Sequence, residues 1–179
     1  MVGIYMEYKV VDNKNIDIAV KIQKTIFPID PGEKALRLAA NNKCYSDLSM
    51  LKYWLVENEG KVIGICGLYS YKSTPKDVWL GWYGVLEDER GKGYGKEILS
   101  YMMQGAKDLG YENFRLYTDE IANEKAIKLY EKIGMTREEY LNPEDKHFKF
   151  SNTLIFSKSL VKDTVDLWNN KNLFLGLYE

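Results

Sequence analysis

Three glycines at alternate positions, Gly91, Gly93 and Gly95, lie between an apolar run ending at Leu86 and a helix-like run from Ile98. A turn needs one glycine and rarely three. The spacing therefore describes a loop whose backbone approaches something closely, at positions where side chains are excluded. A strand before it and a helix after it give the loop free N–H groups and the positive end of a helix dipole, which together make an anion site. Arg90, Lys92 and Lys96 add positive charge, and Tyr94 stands among them. No Ser or Thr follows Lys92 or Lys96, so the loop is not a GxxxxGK[ST] phosphate loop. It reads G-K-G-Y-G, not the GxGxxG of a dinucleotide fold.

The rest of the chain supplies an ordinary globular frame for such a loop. At 179 residues it has the size of one domain. A net charge of −1 argues against a broad basic face for nucleic acid. No apolar stretch approaches the roughly 20 residues needed to span a bilayer, and the first residues do not read as a signal peptide. Cys44 and Cys66 lack CxxC spacing, so two reduced thiols in a cytoplasmic protein are expected. His147 is the one histidine, which argues against a His-rich metal site or a Ser-His-Asp triad. No metal is expected.

Periodicity gives the order helix, hairpin, strand, helix, strand, helix, strand, a mixed α/β domain around one central sheet. Ile18, Ile22 and Ile26 predict the core stripe of a first helix, and EKALRLAANN a second. YWLVENEGKVIGICGLYSY predicts a hairpin turning at Glu57 to Gly60. In DVWLGWYGVL, strict alternation places Val78, Leu80, Trp82 and Leu86 on one face and Trp79, Tyr83 and Val85 on the other. Ile98, Met102, Ala106 and Leu109 share the face of the next helix, which Gly110 ends, and NFRLYT follows as a strand. Asn123 caps a helix whose Ala126, Tyr130 and Ile133 share a face and which stops at Gly134. Strand material over 146–160 and a helix from VKDTVDLWNN complete the chain.

Two segments in register carry a resemblance. Val85 to Gly95, VLEDERGKGYG, is similar to the acetyl-CoA signature Q/R-x-x-G-x-G/A of the GCN5-related N-acetyltransferase (GNAT) superfamily, with Arg90, Gly93 and Gly95 as its core. Asn123 to Met135, NEKAIKLYEKIGM, resembles the family's N-x-x-A-x-x-L-Y-x-x-x-G-F, with Met135 in place of Phe. The hairpin also fits, so the likeness covers about residues 54–135. The resemblance implies a GNAT-like mixed central sheet flanked by helices, with acetyl-CoA in the cleft between two splayed parallel strands. It implies that Val85 pairs with the pantetheine arm, that residues Gly91, Lys92, Gly93, Tyr94 and Gly95 cradle the pyrophosphate with Arg90 and Lys96 beside them, and that Asn123 contacts the pantetheine. Tyr130 is then the general acid for the leaving thiolate, in direct attack of a primary amine on the thioester.

The general base is missing from this pattern. Some relatives carry a glutamate where this chain has Trp79; Glu87, Asp77 and His147 are weak substitutes. The alternative reading is accordingly a non-catalytic acyl-CoA sensor of the same fold. The amine acceptor, a small molecule or a peptide, is expected near residues 27–43, the Tyr69 to Pro75 turn and the Tyr140 to Phe148 hairpin, with Asp30, Glu33 and Asp77 as possible attractants. Residues 1–160 form the domain. Residues 161–179, with Val161, Val165 and Trp168 on one face and Leu173, Phe174, Leu175 and Leu177 beyond, form a helical extension that packs on the domain or on a second subunit of a homodimer.

Overall fold

The computed structural model describes residues 5–121, 123–141, 144–145, 152–169 and 175. Among them the chain runs β1 (Glu7–Val10), α1 (Ile16–Ile26), α2 (Glu33–Ala40), β2 (Leu48–Asn58), β3 (Lys61–Tyr71), β4 (Asp77–Val85), α3 (Tyr94–Asp108), β5 (Asn113–Asp119), α4 (Glu124–Lys132), β6 (Thr136–Glu139) and β7 (Thr153–Ser159). The strands form one mixed sheet in the order β1-β2-β3-β4-β5-β7-β6. Only β4 and β5 run parallel among the pairs described. One face carries an aromatic-rich core under α1 and α2, and the other a core under α3 and α4.

The hairpin forms because Glu59 and Gly60 take positive φ of 51° and 77°, the two-residue turn whose twist matches that of its strands. Its strands are longer than expected, since β2 begins at Leu48. Helix α1 exists as predicted, but its buried face is Ile16, Ala19, Val20 and Gln23, while Ile18 is 49% exposed. The i, i+3, i+4, i+7 set follows the 3.6-residue turn better than the 18-22-26 stripe does. Leu109 also leaves its predicted face and is exposed past the end of α3, where Gly110 takes φ of 92°. Strands β1 and β6 are short and largely polar, and periodicity missed both.

Strand β4 corrects the strict alternation. Ile65 pairs with Gly84 while Gly67 pairs with Gly81, so three steps on β4 oppose two on β3. This bulge, at Trp82 and Tyr83 opposite Cys66, reverses the side-chain parity. Val78, Leu80, Tyr83 and Val85 therefore pack toward α3 and α4, and Trp79 and Trp82 toward α1 and α2.

Strands β4 and β5 pair over three positions, Asp77 with Asn113, Val78 with Phe114 and Trp79 with Arg115, and then part. Their joined end is held by a buried charge. Arg115, 0% exposed, donates from Nε to Asp77 at 3.0 Å, from Nη1 to the Ser157 hydroxyl at 2.8 Å and from Nη2 to the Asp166 carbonyl at 2.7 Å. Asn113 donates to the other Asp77 oxygen at 2.7 Å.

The bond from Arg115 to the Asp166 carbonyl captures the segment after β7. Residues 161–168 form no helix. The Asp166 carbonyl goes to Arg115, and the N–H groups of Trp168 and Asn169 go to the Glu138 carboxylate at 2.9 and 3.0 Å, so side chains replace helical partners. Trp168 is buried edge-to-face on Trp79 with ring centroids 4.8 Å apart, whereas Val161 is exposed, so the predicted stripe does not form. Leu175 is also buried; Leu173, Phe174 and Leu177 lie outside the described residues.

Replacing Arg115 by Leu should cost about 3–5 kcal/mol, because Asp77 is left as an uncompensated buried charge. Urea unfolding of the parent and of Arg115→Leu measures this. A loss near that of an exposed ion pair, below about 1 kcal/mol, would contradict the role given to Asp77.

Candidate active site

The parting of β4 from β5 leaves one edge of β4 turned into a gap. Leu86 N–H donates to the Ile63 carbonyl at 2.8 Å, around the aligned pair Val85 and Gly64. In an antiparallel ladder that pattern turns the N–H and C=O of Val85 away from β3 and toward the β5 side. The Val85 carbonyl accepts a 2.9 Å hydrogen bond from Arg90 Nε. Arg90 thus spends one donor on the strand end, and its remaining guanidinium groups sit beside the loop.

The glycine loop is built from different local needs. After the single 3-10 turn Glu87–Glu89, Gly91 and Gly93 take φ of 78° and 85°, conformations that a Cβ disfavours. Gly93 is the N-cap of α3, so the first amides of a helix 15 residues long open onto the loop. Gly95 is small for another reason: a Cβ there would lie 3.0 Å from the Tyr83 hydroxyl oxygen. Lys96 is exposed on the first turn.

Lys92 is not a free cation. Glu89 binds it at 2.9 Å and binds Lys61, at the hairpin tip, at 2.6 Å. The Lys61 and Lys92 hydrogen bonds hold the Glu89 carboxyl down at about 2. Tyr94 closes a second tie to the same tip, accepting from Asn58 Nδ2 at 2.8 Å. Glu89 went unread in the sequence although Lys92 lies only three residues beyond it, whereas the ties to Lys61 and Asn58 span 28 and 36 residues and leave no local signal.

Tyr130 lies on α4, 5% exposed, with its ring 5.2 Å from Phe156. Burial pushes its hydroxyl well above the usual tyrosine range, so it is protonated and able to donate at neutral pH. Tyr83 shares that environment; burial first, and then the nearby Tyr130, raise its hydroxyl too. Asn123 occupies the N-cap position of α4 but makes no side-chain cap bond, and its amide is exposed.

The base candidates are accounted for plainly. Trp79 is 0% exposed and walled by Tyr69, Tyr71, Tyr117 and Trp168, so its position offers no acid–base group. Asp77 is locked to Arg115, Glu87 is a solvated turn residue, and His147 lies outside the described residues. Of the expected acceptor groups, Glu33 is an exposed partner of Lys24 and Arg37. Asp30 lies beside Phe27, its N–H donating to the Phe27 carbonyl at 3.3 Å, and with Asp145 it adds to the burial that pushes the Tyr117 hydroxyl up to about 12. Phe27 packs on Trp82 at 5.0 Å on that same side. Tyr69 and Tyr71 are core residues.

The Glu89 carboxyl has a clear sign. Its folded value is depressed from 4.5 to about 2, so its contribution is present above 4.5 and is lost as pH falls toward 2. Melting temperatures of the parent and Glu89→Gln should differ at pH 6 and converge between about pH 4.5 and 2. A difference that persists unchanged at the lowest pH would exclude an electrostatic origin.

Comparison with known proteins agrees with this geometry. The sequence profile described as the acetyltransferase (GNAT) family matches residues 18–135. The uncharacterized N-acetyltransferase YjgM of Escherichia coli K12 is 34% identical over 89 residues, 49% of this chain; the chain spans 53% of that relative, about half its length. N-alpha-acetyltransferase 50 of Danio rerio is 26% identical over 147 residues, covering 74% of this chain and 80% of that protein. Among solved structures, spermidine N-acetyltransferase from Vibrio cholerae in complex with CoA and spermine superposes with a TM-score of 0.66 at 14% identity, over 87% of this chain and 95% of that one. With a family profile over most of its length and a sheet that parts between β4 and β5, the chain belongs to the GNAT acetyltransferases.

Proposed function

We propose that this acyltransferase moves an acetyl group from acetyl-CoA to a primary amine by direct attack on the thioester, without a covalent enzyme intermediate. The observation that carries the reading is the gap after Trp79 and Arg115, with the Val85 N–H and C=O turned into it and the glycine loop at its end. A pantetheine arm carries amides of its own and fits such an edge as an added strand. Its pyrophosphate fits the amides of residues 91–95, with Arg90 and Lys96 beside them and Lys92 held back by Glu89. The exposed, non-capping amide of Asn123 suits a second contact to the arm. Acetyl-CoA supplies an activated acyl thioester.

The protein's own contributions are orientation and one proton. Tyr130, kept protonated by burial, donates to the departing thiolate. The amine enters from the α1/α2 face, past Phe27, Trp82 and Tyr117, where Asp30 attracts a cation. With Trp79 buried in place of a base, the amine reacts in its neutral form. Free Cys44 and Cys66 suit a cytoplasmic setting. The names of similar proteins suggest two acceptor classes, polyamines and peptide α-amines.

Acetyl-CoA at 100 times its dissociation constant should stabilise the fold by about 2.7 kcal/mol, read as a melting shift that NAD does not produce. Free thiol release in the presence of spermidine, L-lysine or a peptide with a free N-terminus then tests transfer. Stabilisation by acetyl-CoA without release from any amine would make the chain a binding module instead of an enzyme.

Tyr130→Phe should lower kcat on the order of 10²-fold with little change in acetyl-CoA affinity. Normal turnover would remove Tyr130 from the mechanism. For the parent, kcat/KM should climb with pH along the deprotonation of the amine used, and a plateau well below that amine's own pKa would reveal a base on the protein.

A further inference from the structure

Tyr83 adjoins the acyl-CoA gap, and the mechanism above leaves it idle. Strict alternation from Val78 and Leu80 would put Trp82 toward α3 and send Tyr83 to the opposite face. The bulge reverses this and brings the Tyr83 ring to the α3/α4 side. There its hydroxyl donates to the carbonyl of Gly95, in the first turn of α3. The same oxygen fills the space that a side chain at position 95 would need, 3.0 Å from an ideal Cβ. Gly95 and Tyr83 are therefore complementary: the glycine gives the hydroxyl its place, and the hydroxyl holds the helix end that follows two left-handed glycines. The ring packs against the same core cluster as Tyr130.

We propose, on the acetyl-CoA reading above, that Tyr83 is a positioning residue of the cofactor site, its hydroxyl fixing the first turn of α3 against β4 so that the loop amides keep their line on the pyrophosphate. Arg90 and Tyr83 then fasten the loop at both ends to the same strand: Arg90 to the Val85 carbonyl before the glycines, and Tyr83 to Gly95 after them. A loop so fastened loses little further freedom when an anion binds, and its amides are arranged beforehand.

Calorimetric titration of acetyl-CoA into the parent, Tyr83→Phe, Gly95→Ala and the double variant tests this. Tyr83→Phe keeps the ring and loses one hydrogen bond, so acetyl-CoA affinity should fall about three- to tenfold with the amine KM unchanged. Gly95→Ala should weaken binding in the parent background and much less in the Tyr83→Phe background, where no hydroxyl meets the new methyl. A Tyr83→Phe dissociation constant within about twofold of the parent's, with only the ligand-free melting temperature lowered, would show a purely structural tyrosine and overturn the proposal. Equal losses from Gly95→Ala in both backgrounds would overturn it as well. A parent that binds no acetyl-CoA overturns this proposal and the proposed function together, whereas a binding parent with an unaffected Tyr83→Phe overturns this proposal alone.

Discussion

The fold hinges on the buried ion pair between Asp77 and Arg115. Burying two charges is costly, and their attraction offsets that cost only when the remaining hydrogen-bonding groups are also satisfied. Here Asn113, Ser157 and the Asp166 carbonyl supply those partners. The pair lies where β4 and β5 are still joined, so it acts as the closed end of a fork whose tines are the rest of the two strands. Without a firm joint at that end, the parting beyond Trp79 would be a fault in the sheet. With it, the parting is a set feature of the sheet, with the α3/α4 core on one face and the α1/α2 core, Trp82 and Tyr117 packed against it, on the other.

That arrangement also leaves the ionisable groups around the parting one-sided. The groups that can give a proton, Tyr130 and Tyr83, sit on the α3/α4 side in a buried setting that keeps them protonated. The position where a carboxylate base would be sought holds Trp79, which serves the aromatic core and seats Trp168. An indole there strengthens the attachment of the segment after β7 at the expense of a proton acceptor. One residue cannot do both.

What could be read in the sequence follows from how local each signal is. The glycine loop, the turn at Glu59 and Gly60 and the helix ended by Gly134 announce themselves within a few residues, because backbone conformation selects glycine directly. The parity of β4 did not announce itself. Its bulge is defined by pairing with β3, and Trp82 and Tyr83 are acceptable on either face until that register is known. Asp77 looked like a free acid because Arg115 is 38 residues away, and Lys92 looked like a free cation because Glu89, three residues before it, was not read as its partner. The segment from Val161 to Trp168 has helical spacing, yet Glu138 and Arg115 take its backbone groups, and such tertiary capture leaves no trace in periodicity.

The ties between the β2–β3 hairpin tip and the glycine loop carry a consequence for motion. Asn58 holds Tyr94 and Lys61 holds Glu89, so the tip and the start of α3 share their hydrogen bonds although 36 and 28 residues separate the partners. Elements joined in this way open as one unit, and amide hydrogen exchange resolves such units. An anion seated on the loop would thus slow exchange at the hairpin tip, which forms no part of the gap. The tip becomes a remote reporter of occupancy, coupled to the loop through a shared opening equilibrium and without any displacement of the strands between them.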